Sequence, residues 1–164
     1  MDESIMPEGF AEVWERVRAA AAETGESAPP DAQSALETFI RRKREAIAMY
    51  KCIVAAAGRQ ERAALCRILA DERRHLASLQ LEYFMLTGDN CAASGEKPAK
   101  LEGGLLSALR SAAIAEAESA AEYEKAAQTL GGEAGAVCTA IGNEDSGHAR
   151  ALRCLIARCF TQQG

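Results

Sequence analysis

Apolar residues recur at intervals of three and four along most of this chain, which is the spacing of one face of an α-helix. Two such stretches, residues 31–57 and 60–86, are separated by Gly58 and contain neither proline nor a further glycine. Because the connection is so short, the pattern predicts two long helices that pack as antiparallel neighbours. Their inward positions are Leu36, Phe39, Ile40, Ile47, Tyr50, Val54, Leu65, Ile68, Leu69, Leu76, Leu79 and Tyr83.

The second half of the chain has the same organisation. Residues 104–130 and 133–160 are predicted as two further long helices, separated by a pair of glycines. The stretch that precedes them, residues 87–103, is rich in loop-forming residues and is long enough to cross over along a bundle.

The N-terminal segment is predicted to stand apart from this body. A short amphipathic helix is expected over residues 7–22, from apolar residues at helical spacing that include Trp14. Two consecutive prolines follow and end any helix. We therefore divide the chain into an N-terminal helix and linker, residues 1–30, and a helical bundle, residues 31–164.

The two predicted hairpins are related by a shift of 73 positions without a gap. The shift places Ala35 on Ala108, Leu36 on Leu109, Tyr50 on Tyr123, Gly58 on Gly131, Ile68 on Ile141, His75 on His148 and Leu79 on Leu152. This agreement indicates a duplicated helix-turn-helix unit. Two units are too few for a solenoid, so the hairpins are expected to bury their apolar faces against each other in an antiparallel four-helix bundle with a long middle crossover.

Composition favours an all-α protein and excludes several functional classes. Hydrophobic residues make up 48% of the chain and aromatic residues only 5%, and an alanine-rich apolar share favours helices over strands. The net charge of -5 argues against a nucleic-acid surface, which is normally basic. The sequence contains no apolar run of about 18 residues and no export signal, so we expect a cytoplasmic protein without a membrane partner and six reduced cysteines.

The only two histidines occupy equivalent positions of the repeat, and each follows an acid by three residues. The pairs are Glu72 with His75 and Asp145 with His148. Three residues along a helix turn a side chain by about 300° and raise it about 4.5 Å, so acid and imidazole share one face. Such a pair on each of two helices, with one carboxylate from each of the other two, is the pattern of a di-iron or di-manganese carboxylate site. The sequence therefore predicts a metal site in the bundle.

One carboxylate is then expected on the first helix and one on the third. Glu116 is the candidate on the third helix, because it lies seven residues before Tyr123 and so on the same face. The equivalent position on the first helix, seven residues before Tyr50, is Lys43. Glu45 does not replace it, because two residues along a helix rotate a side chain by about 200°.

These residues together resemble the rubrerythrin branch of the ferritin-like superfamily, over about residues 35–158. The segment from Glu116 to Tyr123 is similar to that family's E-x6-Y signature, and residues 69–75, LADERRH, are similar to its L-A-x-E-x-x-H helix. The resemblance implies a ferritin-like four-helix bundle, usually a homodimer. It also implies a non-haem di-iron centre that reduces peroxide or oxidises ferrous iron, an oxidoreductase or ferroxidase activity.

By position, the resemblance implies five metal ligands and makes Tyr50 and Tyr123 hydrogen-bond partners of the carboxylates. The implied ligands are Glu72, His75, Glu116, Asp145 and His148. Iron is the implied metal, with manganese as the other candidate. The iron-sulfur tail of full-length rubrerythrins has no counterpart in this sequence, so another protein or a small reductant is expected to supply electrons.

Departures from the family pattern leave alternatives open. Asp145 stands where glutamate is usual, between Gly142 and Gly147, where close packing or a local distortion is expected. Lys43 either points away or lies among the acids as a fixed positive charge that replaces part of the metal charge. The site then holds two ions, one or none. The alternative function is a metal-free or single-metal bundle that acts as a structural or interaction module.

Overall fold

The computed structural model describes residues 32–92, 101 and 103–161, and it confirms the four long helices predicted for this part of the chain. The helices are α1 (Ala32–Ala56), α2 (Arg59–Thr87), α3 (Gly104–Leu130) and α4 (Gly132–Thr161), each within about one residue of its predicted bounds. No strand occurs among these residues. The predicted N-terminal helix over residues 7–22 lies outside the described residues.

Glycines end α2 and separate α1 from α2. Gly58 leads into α2, where its carbonyl accepts a hydrogen bond from the amide of Arg62 at 3.1 Å, and the Arg62 guanidinium donates to the carbonyl of Ala57 at 2.8 Å. At the other end of α2, Gly88 has φ of 76° and donates its amide to the carbonyl of Phe84. A left-handed residue of this kind is the usual end of a helix, and glycine adopts it without steric cost.

The four helices form a bundle in which α1 packs beside α2 and α3 beside α4, while α1 faces α3 and α2 faces α4. Along the contact between α1 and α3, later residues of α1 meet earlier residues of α3. Phe39 stacks on Tyr123 with ring centroids 4.4 Å apart, whereas Tyr50, later in α1, contacts Glu116, earlier in α3. These two helices are therefore antiparallel.

The connection from α2 to α3 joins opposite ends of the bundle. Cys91, just after α2, packs against the apolar cluster that contains Leu36, near the start of α1. Leu101, just before α3, packs against the cluster that contains Ile53 and Ala57, at the end of α1. The described residues on the two sides of this connection thus lie toward opposite ends of the bundle.

The core consists of two apolar clusters, one toward each end of the bundle. The fully buried aliphatic members of one cluster are Ile53, Leu65, Leu109 and Leu152. The corresponding members of the other cluster are Leu36, Ile40 and Leu79. Each such side chain contributes about 1.5–3 kcal/mol by leaving water, so the clusters provide the stability that a buried polar layer requires.

The α3–α4 hairpin contains the close helix contact that was predicted near Asp145. A Cβ atom on Gly142 would lie 3.2 Å from the carbonyl oxygen of Ala120 and 3.2 Å from the Cβ of Tyr123. Gly142 therefore lets the two backbones approach. A Cβ on Gly147 would meet no atom of the described residues within 4 Å, so of the two glycines it is Gly142 that allows close packing.

Among the described residues, no helix combines the length and the apolarity needed to cross a membrane. The six cysteines form no disulfide with one another.

Candidate functional site

A layer of six buried polar residues crosses the middle of the bundle, between the two apolar clusters. One residue comes from α1 and one from α3, and two come from each of α2 and α4. They are Lys43, Glu72, His75, Glu116, Asp145 and His148, and none is more than 7% exposed. The structure thus brings together all five predicted ligands and the lysine at the position of the missing carboxylate. We call these six residues the polar layer.

Lys43 points into the polar layer. Its Nζ lies 2.9 and 2.8 Å from Oδ1 and Oδ2 of Asp145, and 3.1 and 3.0 Å from Oε1 and Oε2 of Glu72. The ammonium also lies over the ring of Tyr123, 5.5 Å from its centroid. The sequence left open whether Lys43 points away or lies among the acids. In the structure it lies among the acids, as a fixed positive charge.

The Lys43 ammonium and the Glu72 carboxylate stabilise each other in their charged forms. Burial alone would lower the pKa of the Lys43 ammonium, but attraction by Glu72 and Asp145 outweighs it, and the pKa is raised above its usual value. Burial likewise opposes ionisation of Glu72, yet its contacts with His148, His75 and Lys43 hold the pKa of that carboxyl well below its usual range. The layer is therefore held by ionised groups at neutral pH.

The two histidines have the same orientation, with Nδ1 directed into the layer and Nε2 directed outward. Nε2 of His75 lies 2.9 Å from Oε2 of Glu144, and Nε2 of His148 lies 3.2 Å from Oδ2 of Asp71. Arg74 forms ion pairs with both of these outer acids. Each histidine is thus oriented by an acid on the opposite hairpin.

Asp71 and Glu144 are not among the residues predicted from the sequence, although a signal for them exists. The 73-residue shift that superimposes the two histidines also superimposes these two acids. Each directly precedes the inward-facing acid of its own helix, so it projects from a neighbouring face. An acidic pair at equivalent positions of a repeat could therefore have been proposed as partners of the histidines.

Nδ1 of each histidine has no hydrogen-bond partner in the part of the chain that the structure describes. For His75 this atom lies 3.3 Å from Oε1 of Glu72 and 3.4 Å from Oδ1 of Asp145, and for His148 it lies 3.6 Å from Oε2 of Glu116. Oε2 of Glu116 is also buried without a hydrogen bond from these residues, whereas Oε2 of Glu72 is paired with the Lys43 ammonium at 3.0 Å. Three polar atoms without a hydrogen bond therefore converge in one layer.

Carboxylates raise the pKa values of both histidines. Burial alone would lower the pKa of His75, but Asp145, Glu72 and Glu144 raise it to about 9 against the repulsion of the Lys43 ammonium. Burial also opposes protonation of His148, and the surrounding carboxylates raise its pKa to about 10. Without a metal ion, both rings are therefore cationic at neutral pH.

Hydroxyl groups hold two of the carboxylates. The Tyr50 hydroxyl donates to Oε1 of Glu116 at 2.6 Å, as the resemblance implies for this tyrosine. Burial and the nearby Glu116 charge raise the pKa of Tyr50 far above its usual value, so it remains a donor. The Ser119 hydroxyl donates to Oδ2 of Asp145 at 2.7 Å, a contact that the sequence analysis missed. Tyr123, by contrast, contacts Phe39 and Lys43.

One subset of the polar layer is spaced to hold a metal ion. Glu72, Glu116, Asp145 and His148 each offer one ligand atom, and these atoms all lie within 4.8 Å of one another. A transition-metal ion with bonds of about 2.0–2.2 Å to nitrogen and oxygen holds ligand atoms up to about 4.4 Å apart, so the group fits one ion after a small adjustment. His75 is not a member of this group.

A cavity of about 400 Å³ lies between α1 and α3 and extends to the polar layer. Lys43, Glu72 and Glu116 line its buried part, and half-exposed Arg42 and Glu122, which form an ion pair, lie among its other lining residues. Much of the remaining wall is apolar. The cavity gives small molecules a route to the carboxylates.

Comparison of the chain with protein-family models, with curated proteins and with solved structures finds no match in any of the three.

Proposed function

We propose that this chain is a ferritin-like metalloprotein of the rubrerythrin type, which binds non-haem iron in the polar layer and carries out redox chemistry with peroxide or oxygen. Manganese is the second candidate metal. Support comes from the polar layer and from the sequence resemblance of residues 69–75 and 116–123. The resemblance extends the proposal to a homodimer that takes electrons from an external donor.

The observation that carries this proposal is the set of unsatisfied polar atoms in the layer. Nδ1 of His75 and of His148, together with Oε2 of Glu116, is buried without a hydrogen bond from any described residue. Leaving such atoms unpaired is costly, which explains why buried polar groups normally have partners. A metal ion would bind at these atoms in place of a histidine proton, because a histidine ligand must be deprotonated, and a carboxylate on the outer nitrogen is the usual support of a metal-bound histidine.

The roles of the chain's own residues follow from their contacts. Bound iron would supply a redox-active Lewis acid at the layer. Tyr50 holds Glu116 in place, Ser119 holds Asp145, and Asp71 fixes the ring of His148. The cavity between α1 and α3 admits an oxidant of the size of hydrogen peroxide. The two apolar clusters exclude bulk water from the remainder of the layer.

The decisive experiment is ferrous loading in the absence of oxygen, followed by removal of free metal and measurement of iron per chain by mass spectrometry. Glu116→Ala should lose iron, because it removes a buried carboxylate of the layer. Glu118→Ala is the matched control, since Glu118 lies on the same helix but is exposed. Addition of peroxide should then oxidise the bound iron, followed by absorbance. Equal iron in both variants, or no iron in the native chain, would contradict the proposal.

A metal-free structural or interaction module is the second candidate function. It is favoured by the Lys43 ammonium, which compensates part of the charge of Glu72 and Asp145 without a metal ion. In that case, iron should neither bind nor raise the thermal midpoint of unfolding. A midpoint that rises with iron concentration would exclude this candidate, because a ligand that binds the folded state stabilises it.

A further inference from the structure

We infer that the Lys43 ammonium takes the place of one of two ions, so that the chain is built to hold a single metal ion. This inference rests on the proposed function, because it concerns the number of ions in the same layer. It also departs from the family resemblance, which implies two.

The first observation is the position of the ammonium. Its Nζ lies within 3.1 Å of all four oxygens of Glu72 and Asp145. Glu72 and Asp145 are the two carboxylates that Nδ1 of both His75 and His148 approaches. A divalent ion that used the same oxygens on this side would lie against a fixed positive charge in a buried setting, where charge repulsion is strong. Lys43 and a second ion therefore exclude each other.

The second observation is that the remaining residues still form one complete group. Glu116 is not an ion-pair partner of Lys43, whose partners are Glu72 and Asp145, and Nδ1 of His148 lies 3.6 Å from Oε2 of Glu116. Together with Glu72 and Asp145 they supply ligand atoms within 4.8 Å of one another. This group can thus hold one ion that shares the oxygens of Glu72 and Asp145 with the ammonium.

The third observation concerns His75, which sequence symmetry makes equivalent to His148. Its Nδ1 lies 3.3 Å from Oε1 of Glu72 and 3.4 Å from Oδ1 of Asp145, and Nδ1 of His148 lies 3.6 and 3.9 Å from the same two oxygens. The two rings differ in that His148 also approaches Glu116, at 3.6 Å, and belongs to the four-residue group, whereas His75 does not. We infer that it is not a ligand of the single ion.

The test is the number of ions per chain in four proteins, measured by mass spectrometry after anaerobic ferrous loading. The native chain should hold about one iron and Lys43→Glu about two, as in a complete two-ion carboxylate site. His148→Ala should lose its iron. His75→Ala, a matched substitution at the equivalent repeat position, should keep it. Circular dichroism checks that each variant is folded.

Anomalous diffraction from iron-loaded native crystals provides a test that needs no variant. A single iron peak beside His148 would support the inference, and two peaks would overturn it while leaving the proposed function intact. Equal loss of iron from the two histidine variants would also overturn it. So would iron in Lys43→Glu but none in the native chain. No iron in any of the four proteins would instead overturn the proposed function itself.

Discussion

The polar layer has two halves, one with Lys43 and His75 and the other with Glu116 and His148. They differ in charge at one repeat position, while the other positions keep the same residue or exchange one acid for the other. His75 and His148 both direct Nδ1 inward and both contact an acid of the opposite hairpin through Nε2. At the equivalent positions of α1 and α3, however, one half has Lys43 and the other has Glu116. Tyr50 accordingly donates a hydrogen bond to a carboxylate, whereas its counterpart Tyr123 lies beneath an ammonium.

This comparison indicates how a duplicated scaffold can acquire two different half-sites. The packing that positions the layer comes from apolar clusters that are distant from the substitution, so the helices keep their places. The change of one side chain from acid to lysine alters the local charge and therefore what the half-site can bind. The lysine half contains its own cation, and the glutamate half has capacity for a metal ion.

The largest expected effect follows from removal of a carboxylate that both halves share. Asp145→Ala would leave the Lys43 ammonium buried with Glu72 as its main partner, and breaking a buried ion pair in this way costs about 3–5 kcal/mol. We expect the free energy of unfolding, measured by urea denaturation of the metal-free protein, to fall by that amount. Glu124→Ala, at an exposed position of α3, should change it by less than about 0.5 kcal/mol. A similar loss in both variants would contradict the assigned pairing.

A pair of tyrosine variants compares the halves through iron binding. Tyr50→Phe removes the hydroxyl that holds Glu116, and loss of such a supporting contact typically lowers metal affinity by about 10–100-fold. Tyr123→Phe should leave iron affinity nearly unchanged, because Tyr123 contacts Lys43 and Phe39. Isothermal titration with ferrous iron measures both. Equal weakening by the two substitutions would mean that the halves bind metal alike.

The outer acids give a milder form of the same comparison. Asp71→Asn should weaken iron binding by about tenfold, since Asp71 orients His148 on the side proposed to hold the ion. Glu144→Gln, which alters the partner of His75, should have a smaller effect. The same titration measures the two constants. A larger effect of Glu144→Gln would reverse the proposed assignment of the halves.

The smallest expected effect is a difference in proton affinity between the two histidines of the metal-free protein. The folded-state pKa values, about 9 for His75 and about 10 for His148, lie above the unfolded value of about 6.5. Their stabilising contributions are therefore complete below pH about 6.5 and are lost as the pH rises through these folded values. The NMR resonances of the His75 imidazole should therefore titrate at a lower pH than those of His148, because the Lys43 ammonium repels the proton on His75. Lys43→Met should bring the two closer, and an unchanged difference would contradict that cause.

Much of the fold was predictable because its signals are local. Helical spacing of apolar residues and the breaks at Gly58 and Gly131 predicted all four described helices. The three-residue spacing of Glu72 and His75 placed both on one helix face, as the structure confirms. Ser119 was not predictable, because its contact with Asp145 joins two helices and has no counterpart in the repeat.

The sequence by itself determined the helices, the repeat and the residue types that could meet in one layer, because helix geometry fixes which side chains share a face. It left undecided where the Lys43 ammonium lies, since a long flexible stem can direct its charge outward or inward. Only the tertiary structure decided this. Packing of α1 against α2 and α3 brings Nζ within 3.1 Å of the carboxylates of Glu72 and Asp145, and that attraction outweighs the cost of burial.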